Sequence, residues 1–253
     1  MRFLLLFPLL ALLMGCQTSP SERAVVSYTP PNHHIKELTQ VFDSHGGYEQ
    51  WDSMNSLSYV RGEESTITDL KNRKIRLESP ERTIGFDGQN VWVFPDSVDA
   101  SRARFYHNLY FYFYAMPFVV GDPGAFYEVL DQRELAGKRY NQIKVSYGEN
   151  VGDAPDDNYI ILSDPETNKM EWLMYTVTYR SGEPSERYSL IGYENWSEFD
   201  GVMLPTSLKW YQFVDDSVGA ERSEVLFDEI AISSEKVNPT LFNMPEGSQI
   251  APR

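Results

Sequence analysis

Cysteine is nearly absent from this chain: among 253 residues there is one, Cys16. A domain downstream of it can form no internal disulfide and no thiolate metal site, so packing must supply its stability. Basic residues are also scarce, with 22 Lys and Arg against 37 Asp and Glu for a net charge of −15. A surface that acidic repels phosphates, which excludes nucleic acid as a partner. Histidine occurs at four positions. His33 and His34 are sequence neighbours that point apart, His45 sits where a helix macrodipole favours an imidazole, and His107 is the one expected to face a cavity. That set predicts no metal and no cofactor. Gly-x-Ser-x-Gly and a phosphate-cradling glycine loop are missing as well, so a non-enzymatic role is expected. Beyond the N-terminus no stretch approaches the roughly 18 apolar residues that a spanning helix needs.

The N-terminus itself is rich in signal. Arg2 precedes an apolar run from Phe3 to Met14, and small Gly15 leads into Cys16. Leu13-Met14-Gly15-Cys16 resembles the lipobox read by bacterial lipoprotein signal peptidase, which implies that residues 1–15 are a signal peptide and that Cys16 is acylated. The acyl chains would then hold a soluble body on the membrane. Removing that signal leaves 238 residues and, with Arg2 gone, a net charge of −16. Gln17 is not the aspartate of an inner-membrane retention signal, so by that resemblance the expected address is the outer membrane, on either face. Residues 16–32 read as a tether, because Ser19-Pro20-Ser21-Glu22 and Thr29-Pro30-Pro31 favour an extended spacer over a core. Residues 33–253 are expected to form a single domain and a monomer.

That domain should open with a helix. Ile35, Leu38, Val41, Phe42 and His45 recur at helical spacing, Asn32 is the N-cap candidate, and Gly46-Gly47 is a stop. Tyr48, Trp51, Met54 and Leu57 predict a second short helical turn. Strands are expected at Leu57–Thr68, Arg73–Glu78, Arg82–Phe86 and Val91–Phe94, the last two joined through Asp87-Gly88-Gln89-Asn90. Later ones are expected around Ile143–Tyr147, Tyr159–Leu162, Met170–Tyr179, Arg187–Trp196, Leu204–Phe213 and Glu224–Ile232, with turns at Asp164–Asn168 and Asp200-Gly201. The fold class is therefore mainly β: one strongly curved antiparallel sheet or incomplete barrel of about nine to eleven strands. From Leu109 to Val120 twelve uncharged residues include six aromatics. A helix ending near Pro117 is favoured there, lying on the concave face of the sheet, with a strand as the competing reading.

Carboxylates are scattered. Asp153, Asp156 and Asp157 miss the alternation of a calcium loop, while Glu63-Glu64 and Asp215-Asp216 read as exposed edges. The aromatics are the functional lead: Trp92, Phe94, Tyr110, Phe111, Phe113, Phe118 and Trp172 are the candidates to line an apolar cavity, although each could equally fill a core.

The order of lipobox, helix closing in His45-Gly46-Gly47, Trp51, Asp87-Gly88, Val91-Trp92-Val93-Phe94, Leu204-Pro205 and Phe242-Asn243-Met244-Pro245 resembles the lipoprotein-carrier superfamily of outer-membrane lipoprotein sorting proteins, the Lol carrier and receptor. More narrowly, Asn108–Phe118 and Glu171–Tyr179 resemble an uncharacterised family of Bacteroidota-type lipoproteins. The broad resemblance implies an incomplete barrel with helices at its mouth, an apolar cavity, and a lipid or lipoprotein acyl chain as ligand. The alternative expectation is an envelope scaffold that binds a protein or glycan, which exposed tryptophans such as Trp196 or Trp210 would favour.

Overall fold

A computed structural model describes residues 34–148, 157–178, 185 and 187–252. Cys16, the tether, Asn32, Asp153 and Asp156 lie outside the described residues. The first helix, α1 (Lys36–Asp43), buries Leu38, Val41 and Phe42 on one face. Two glycines end it as expected. Gly46 has φ +103° and Gly47 φ +94°. The Gly47 amide returns to the Phe42 carbonyl at 2.8 Å and the Gly46 amide to that of Asp43 at 3.3 Å, so the last carbonyls of the helix are satisfied. A second helix, α2 (Tyr48–Ser53), follows at once and buries Trp51.

Five strands then form a meander: β1 (Ser56–Arg61), β2 (Glu64–Asp69), β3 (Ile75–Glu78), β4 (Thr83–Phe86) and β5 (Val91–Phe94). Two short helices, α3 (Ala103–Tyr106) and α4 (Leu109–Tyr114), and a 3-10 turn at Phe118–Gly121 lead out of it. The second half contains β6 (Ala125–Leu135), β7 (Lys138–Tyr147), β8 (Tyr159–Ser163), β9 (Met170–Tyr175), β10 (Ser189–Gly192), β11 (Trp196–Phe199), β12 (Val202–Pro205), β13 (Ser207–Val214), β14 (Ser217–Leu226), β15 (Asp228–Ser233) and β16 (Gln249–Ile250). A 3-10 turn at Pro239–Phe242 precedes the last strand.

The molecule is mainly β and its sheets are open, but hydrogen bonding does not draw one sheet of nine to eleven strands. The strands divide into a sheet ordered β15-β1-β2-β3-β4-β5-β16, a second ordered β14-β13-β10-β9-β8-β7-β6, and a separate β11-β12 hairpin. The difference has local causes. Gly62, at φ +60°, turns the expected Leu57–Thr68 strand into the β1-β2 hairpin, with Arg61 opposite Glu64. Thr206 separates β12 from β13 and pairs with Asn195, while Phe227 separates β14 from β15. Strand β6 went unread because it is a mostly exposed sheet edge with no clean apolar alternation.

Phe227 also marks where the two sheets meet. It is the single residue between the edge strand of one sheet and the edge strand of the other, and it is buried, with its amide on the Thr206 carbonyl at 2.9 Å. The main core lies between the sheets and includes Leu57, Tyr59, Ile84 and Val93 from the first and Ile143, Val145, Ile161, Leu173 and Ile191 from the second. A smaller cluster of Leu135, Tyr140, Ile160, Leu162, Met174 and Leu190 uses the alternate positions of the second sheet. The β6-β7 end approaches the β13-β14 turn over that cluster, where Arg133 pairs with Asp216 and packs near Phe213.

The aromatic run is helical in its first half, and α4 touches both sheets. Tyr114 packs 4.6 Å from Tyr59 of β1 and 4.4 Å from Phe227, ring centre to ring centre. Phe113 packs 4.7 Å from Tyr175 of β9 and 6.0 Å from Trp210 of β13. A buried hydroxyl fixes the helix end: Tyr193 donates to the Phe113 carbonyl at 2.6 Å.

Candidate functional site

Where α3 and α4 meet the second sheet, a pocket of about 300 Å³ opens. Phe105, Leu109, Tyr110 and Phe113 form its helical wall. Tyr159 of β8, Tyr175 of β9, Trp210 of β13 and Val225 of β14 form the opposite wall, and Asp157, Thr176, Val177 and Ser223 complete the lining. Val177 and Ser223 are exposed, so the pocket is open to solvent on that side.

Its polar groups are held in place. The Trp210 indole N–H donates to the Tyr175 hydroxyl at 3.0 Å, which fixes the plane of the indole. One oxygen of Asp157 accepts from the Thr178 amide at 2.7 Å and from the Thr178 hydroxyl at 2.8 Å. Asn158 and Thr176 clamp the same two segments: the Thr176 hydroxyl accepts from the Asn158 amide at 2.8 Å and the Thr176 amide donates to the Asn158 carbonyl at 3.0 Å. Burial pushes the Tyr159 and Tyr175 hydroxyls above the ordinary phenol range, so both stay neutral. Outside the lining, the Arg61 guanidinium lies 3.6 Å from the centre of the Tyr110 ring. Its charge is met by Glu64 at 2.6 Å and by the Tyr106 hydroxyl, which also donates to Glu64 at 3.1 Å.

Of the seven aromatics put forward from the sequence, Tyr110 and Phe113 line this pocket. Phe111 is buried in the main core with Arg73 beside its ring. Phe118 is stacked between Trp51 at 5.0 Å and Phe42 at 5.8 Å. Trp92 is fully buried but away from the pocket, donating to the Phe242 carbonyl at 3.2 Å and filling the space a Cβ on Gly85 would take. Phe94 is 39% exposed. Trp172 packs on Tyr211 at 5.3 Å over the smaller cluster. For Trp172 the cause is strand alternation, since it lies on the opposite face of β9 from the pocket residue Tyr175, while Trp92 and Phe94 belong to β5 of the first sheet and Phe111 and Phe118 to the helical segments.

Other expected roles change with burial. His107 is outside the pocket, packed near Phe86 with its Nδ1 2.5 Å from the Arg104 carbonyl. His45 is fully buried, and desolvation lowers its pKa from 6.5 to about 4, so it is a neutral core residue with no charge to offer a helix dipole. Glu64 is half-buried in the Arg61 and Tyr106 cluster. Trp196 and Trp210 form no exposed patch; Trp196 packs edge-on against His45 and donates to the Met170 carbonyl. Tyr159, Tyr175 and Val225 escaped the sequence reading because strand register, not spacing along the chain, brings them together with Trp210, and Phe105 and Leu109 reach the same space from α3 and α4. Among the described residues, no three His, Cys, Asp or Glu side chains gather to hold a metal ion.

Residues 90–194 match the model of DUF6503, a family of unknown function. That stretch holds α3, α4 and the pocket residues as far as Val177, whereas Trp210, Ser223 and Val225 lie beyond it. No curated protein matches the chain. Among solved structures, the chain is similar to a LolA superfamily protein of Nitrosomonas europaea, at 11% identity and a TM-score of 0.48 over 83% of this chain and 99% of that one. It is also similar to a DUF1329 family protein of Desulfovibrio piger, at 9% identity and a TM-score of 0.47 over 83% of this chain and 98% of that one. Identities this low leave the chemistry of the pocket to be read from its own residues.

Proposed function

We propose that this protein is a non-enzymatic lipoprotein of the outer membrane, anchored through Cys16, which holds an acyl chain in the pocket between α4 and the second sheet. The observation that carries the reading is the pocket itself: an open, largely apolar space of about 300 Å³ walled by Leu109, Phe113, Trp210 and Val225. For scale, an apolar cavity of about 150 Å³ admits benzene. The Cys16 motif supplies the second support, since acyl chains there would keep the pocket close to a lipid surface.

The test uses the full chain with Cys16→Ser, which removes the acylation site. Native mass spectrometry and organic extraction of that protein should release a fatty-acid-like ligand. Phe113→Asp, which buries a carboxylate in the pocket wall, should abolish the bound species. A chain that is empty after extraction and takes up no decanoate on titration refutes the reading. Mass spectrometry of the wild-type mature N-terminus should show a diacylated or triacylated Cys16, and an unmodified cysteine refutes the anchor.

A further inference from the structure

The open side of the pocket carries a cation. Val177 and Ser223 face solvent there, and Arg222, the residue before Ser223, is exposed beside them. Strict alternation along β14 would turn Arg222 away from the pocket, since Ser223 lines it. The strand register breaks that alternation. Trp210 of β13 lies opposite Ser223 and Tyr211 lies opposite Glu221, so Arg222 is an extra residue with no cross-strand partner, a β-bulge. Bulges bend a strand and re-aim a side chain. The two glutamates beside Arg222 are engaged on the outer face. The Lys209 ammonium is held by Glu194 at 3.0 Å, lies 3.8 Å from Glu221, and feels the charge of Glu224, its partner across the strands. Tyr211 donates to Glu194 on that same face. No carboxylate among the described residues forms an ion pair with Arg222.

The Arg222 charge acts inward instead. Burial raises the Tyr175 hydroxyl above the ordinary phenol range, and Arg222 is the positive charge that opposes the rise. Tyr175 is bonded to the Trp210 indole, so the guanidinium stands on the Trp210 side of the pocket. The acidic group of the lining stands on the other. Asp157 is, after burial, the largest influence on Tyr159 of β8, and β8 is four strands from β14 in the sheet. A guanidinium offers paired N–H donors that match a carboxylate or a phosphate, and its stem can lie on apolar surface while its head stays in water. In a chain of net charge −15, which repels anions in general, such a group beside an apolar opening is selective. We infer that Arg222 receives the anionic head, a carboxylate or a phosphate, of an amphiphile whose chain lies among Leu109, Phe113, Trp210 and Val225. The inference rests on the reading that this pocket takes an acyl chain, and it names the head that the chain carries. A small soluble anion offers the same chemistry, so the probes below separate the two.

Isothermal titration of the full chain carrying Cys16→Ser, below micelle-forming concentrations, compares decanoate, decyl phosphate and uncharged decanol. Acetate and inorganic phosphate report on the head alone. Arg222→Gln should weaken both decyl anions by about two- to five-fold, the range of an exposed ion pair, and leave decanol unchanged. Arg222→Glu should weaken the anions further, and Arg222→Lys, which keeps the charge, should weaken them less. Arg139→Gln removes an exposed charge from β7 and controls for net charge, so it should change no probe. Equal losses from Arg222→Gln and Arg139→Gln, equal losses of decanol and decanoate, or no loss at all overturn the anionic head and leave the acyl reading standing. Inorganic phosphate or acetate binding as tightly as the decyl anions, and weakened by Arg222→Gln, supports an anion site at Arg222 and overturns the acyl reading. No binding of any probe overturns both.

Discussion

His45 offers a direct test of whether burial or the helix dipole governs a titrating group in this fold. Its Nδ1 lies 2.7 Å from the Val41 carbonyl, so the neutral ring carries its proton there and donates. Nε2 is buried with no hydrogen-bond partner, and the Trp196 ring packs edge-on at 4.3 Å. A second proton would therefore have to sit on an unpartnered, desolvated nitrogen, and the charge of Lys169 opposes it further. The folded-state pKa is about 4 against 6.5 for an exposed histidine. Between those values the unfolded chain binds a proton that the folded chain refuses, so stability falls as pH drops below 6.5 and stops falling near pH 4. At pH 5 the unfolded imidazole is almost fully charged and the folded one almost fully neutral, which makes the loss about 2 kcal/mol, rising to about 3 kcal/mol below pH 4. The assay is urea unfolding at a series of pH values for the wild type and for His45→Asn, whose amide nitrogen can take the place of Nδ1 without titrating. Subtraction removes every carboxylate that both chains share. The wild type should lose its advantage over the variant progressively from pH 6.5 to pH 4. A difference that stays flat across that range refutes the argument.

Three further outcomes follow from packing and backbone geometry. Phe118→Ala removes a ring stacked between Trp51 and Phe42 and should cost about 3–5 kcal/mol in denaturant unfolding, with loss of near-ultraviolet dichroism. Gly46→Ala and Gly47→Ala separate two effects, since both residues have φ near +100° but only at Gly46 would a Cβ collide with the Gly201 carbonyl oxygen. Gly47→Ala should cost about 1–3 kcal/mol of backbone strain and Gly46→Ala clearly more, and equal melting temperatures would refute the collision. Tyr193→Phe deletes the bond to the Phe113 carbonyl inside the core, so unfolding free energy should fall by about 1–2 kcal/mol, and no measurable change would mean that the hydroxyl does not anchor α4.

Legibility of the fold in the sequence varied with the kind of signal. Positions where one residue type is nearly obligatory were read well. Gly46-Gly47 ends α1, and Asp200-Gly201 turns β11 into β12 with φ of +46° and +79°. Asp87 closes its turn with one carboxylate oxygen on two amides, and Asp164 does the same. Length and lack of breakers sufficed for the helix at Leu109. Corners were harder: at Phe227 the chain changes sheets with no glycine or proline to mark it, and at Thr206 β-forming residues run on past Pro205, the last residue of β12, into β13. The pocket was only half legible. Tyr110 and Phe113 stand out by their density of rings, but Tyr175 and Trp210 lie 35 residues apart and meet through a single hydrogen bond between neighbouring regions of a sheet. Burial, which turned His45 from a charge into a neutral packing group, is a tertiary property that spacing along the chain does not encode.

The corner at Phe227 carries a consequence for the order of events during folding. Strand β15 closes the edge of the first sheet by pairing with β1, placing Leu57 opposite Ile232, so strands made early wait for one made late. Contacts spanning that much chain are slow to form, because the loop must close before pairing rewards it. Until then β1 presents an open, apolar edge next to Tyr59, a surface prone to pairing with other chains. During synthesis the hazard is therefore at the first strand and its remedy about 170 residues later, and any factor that shields the nascent chain must hold on until Phe227 has arrived.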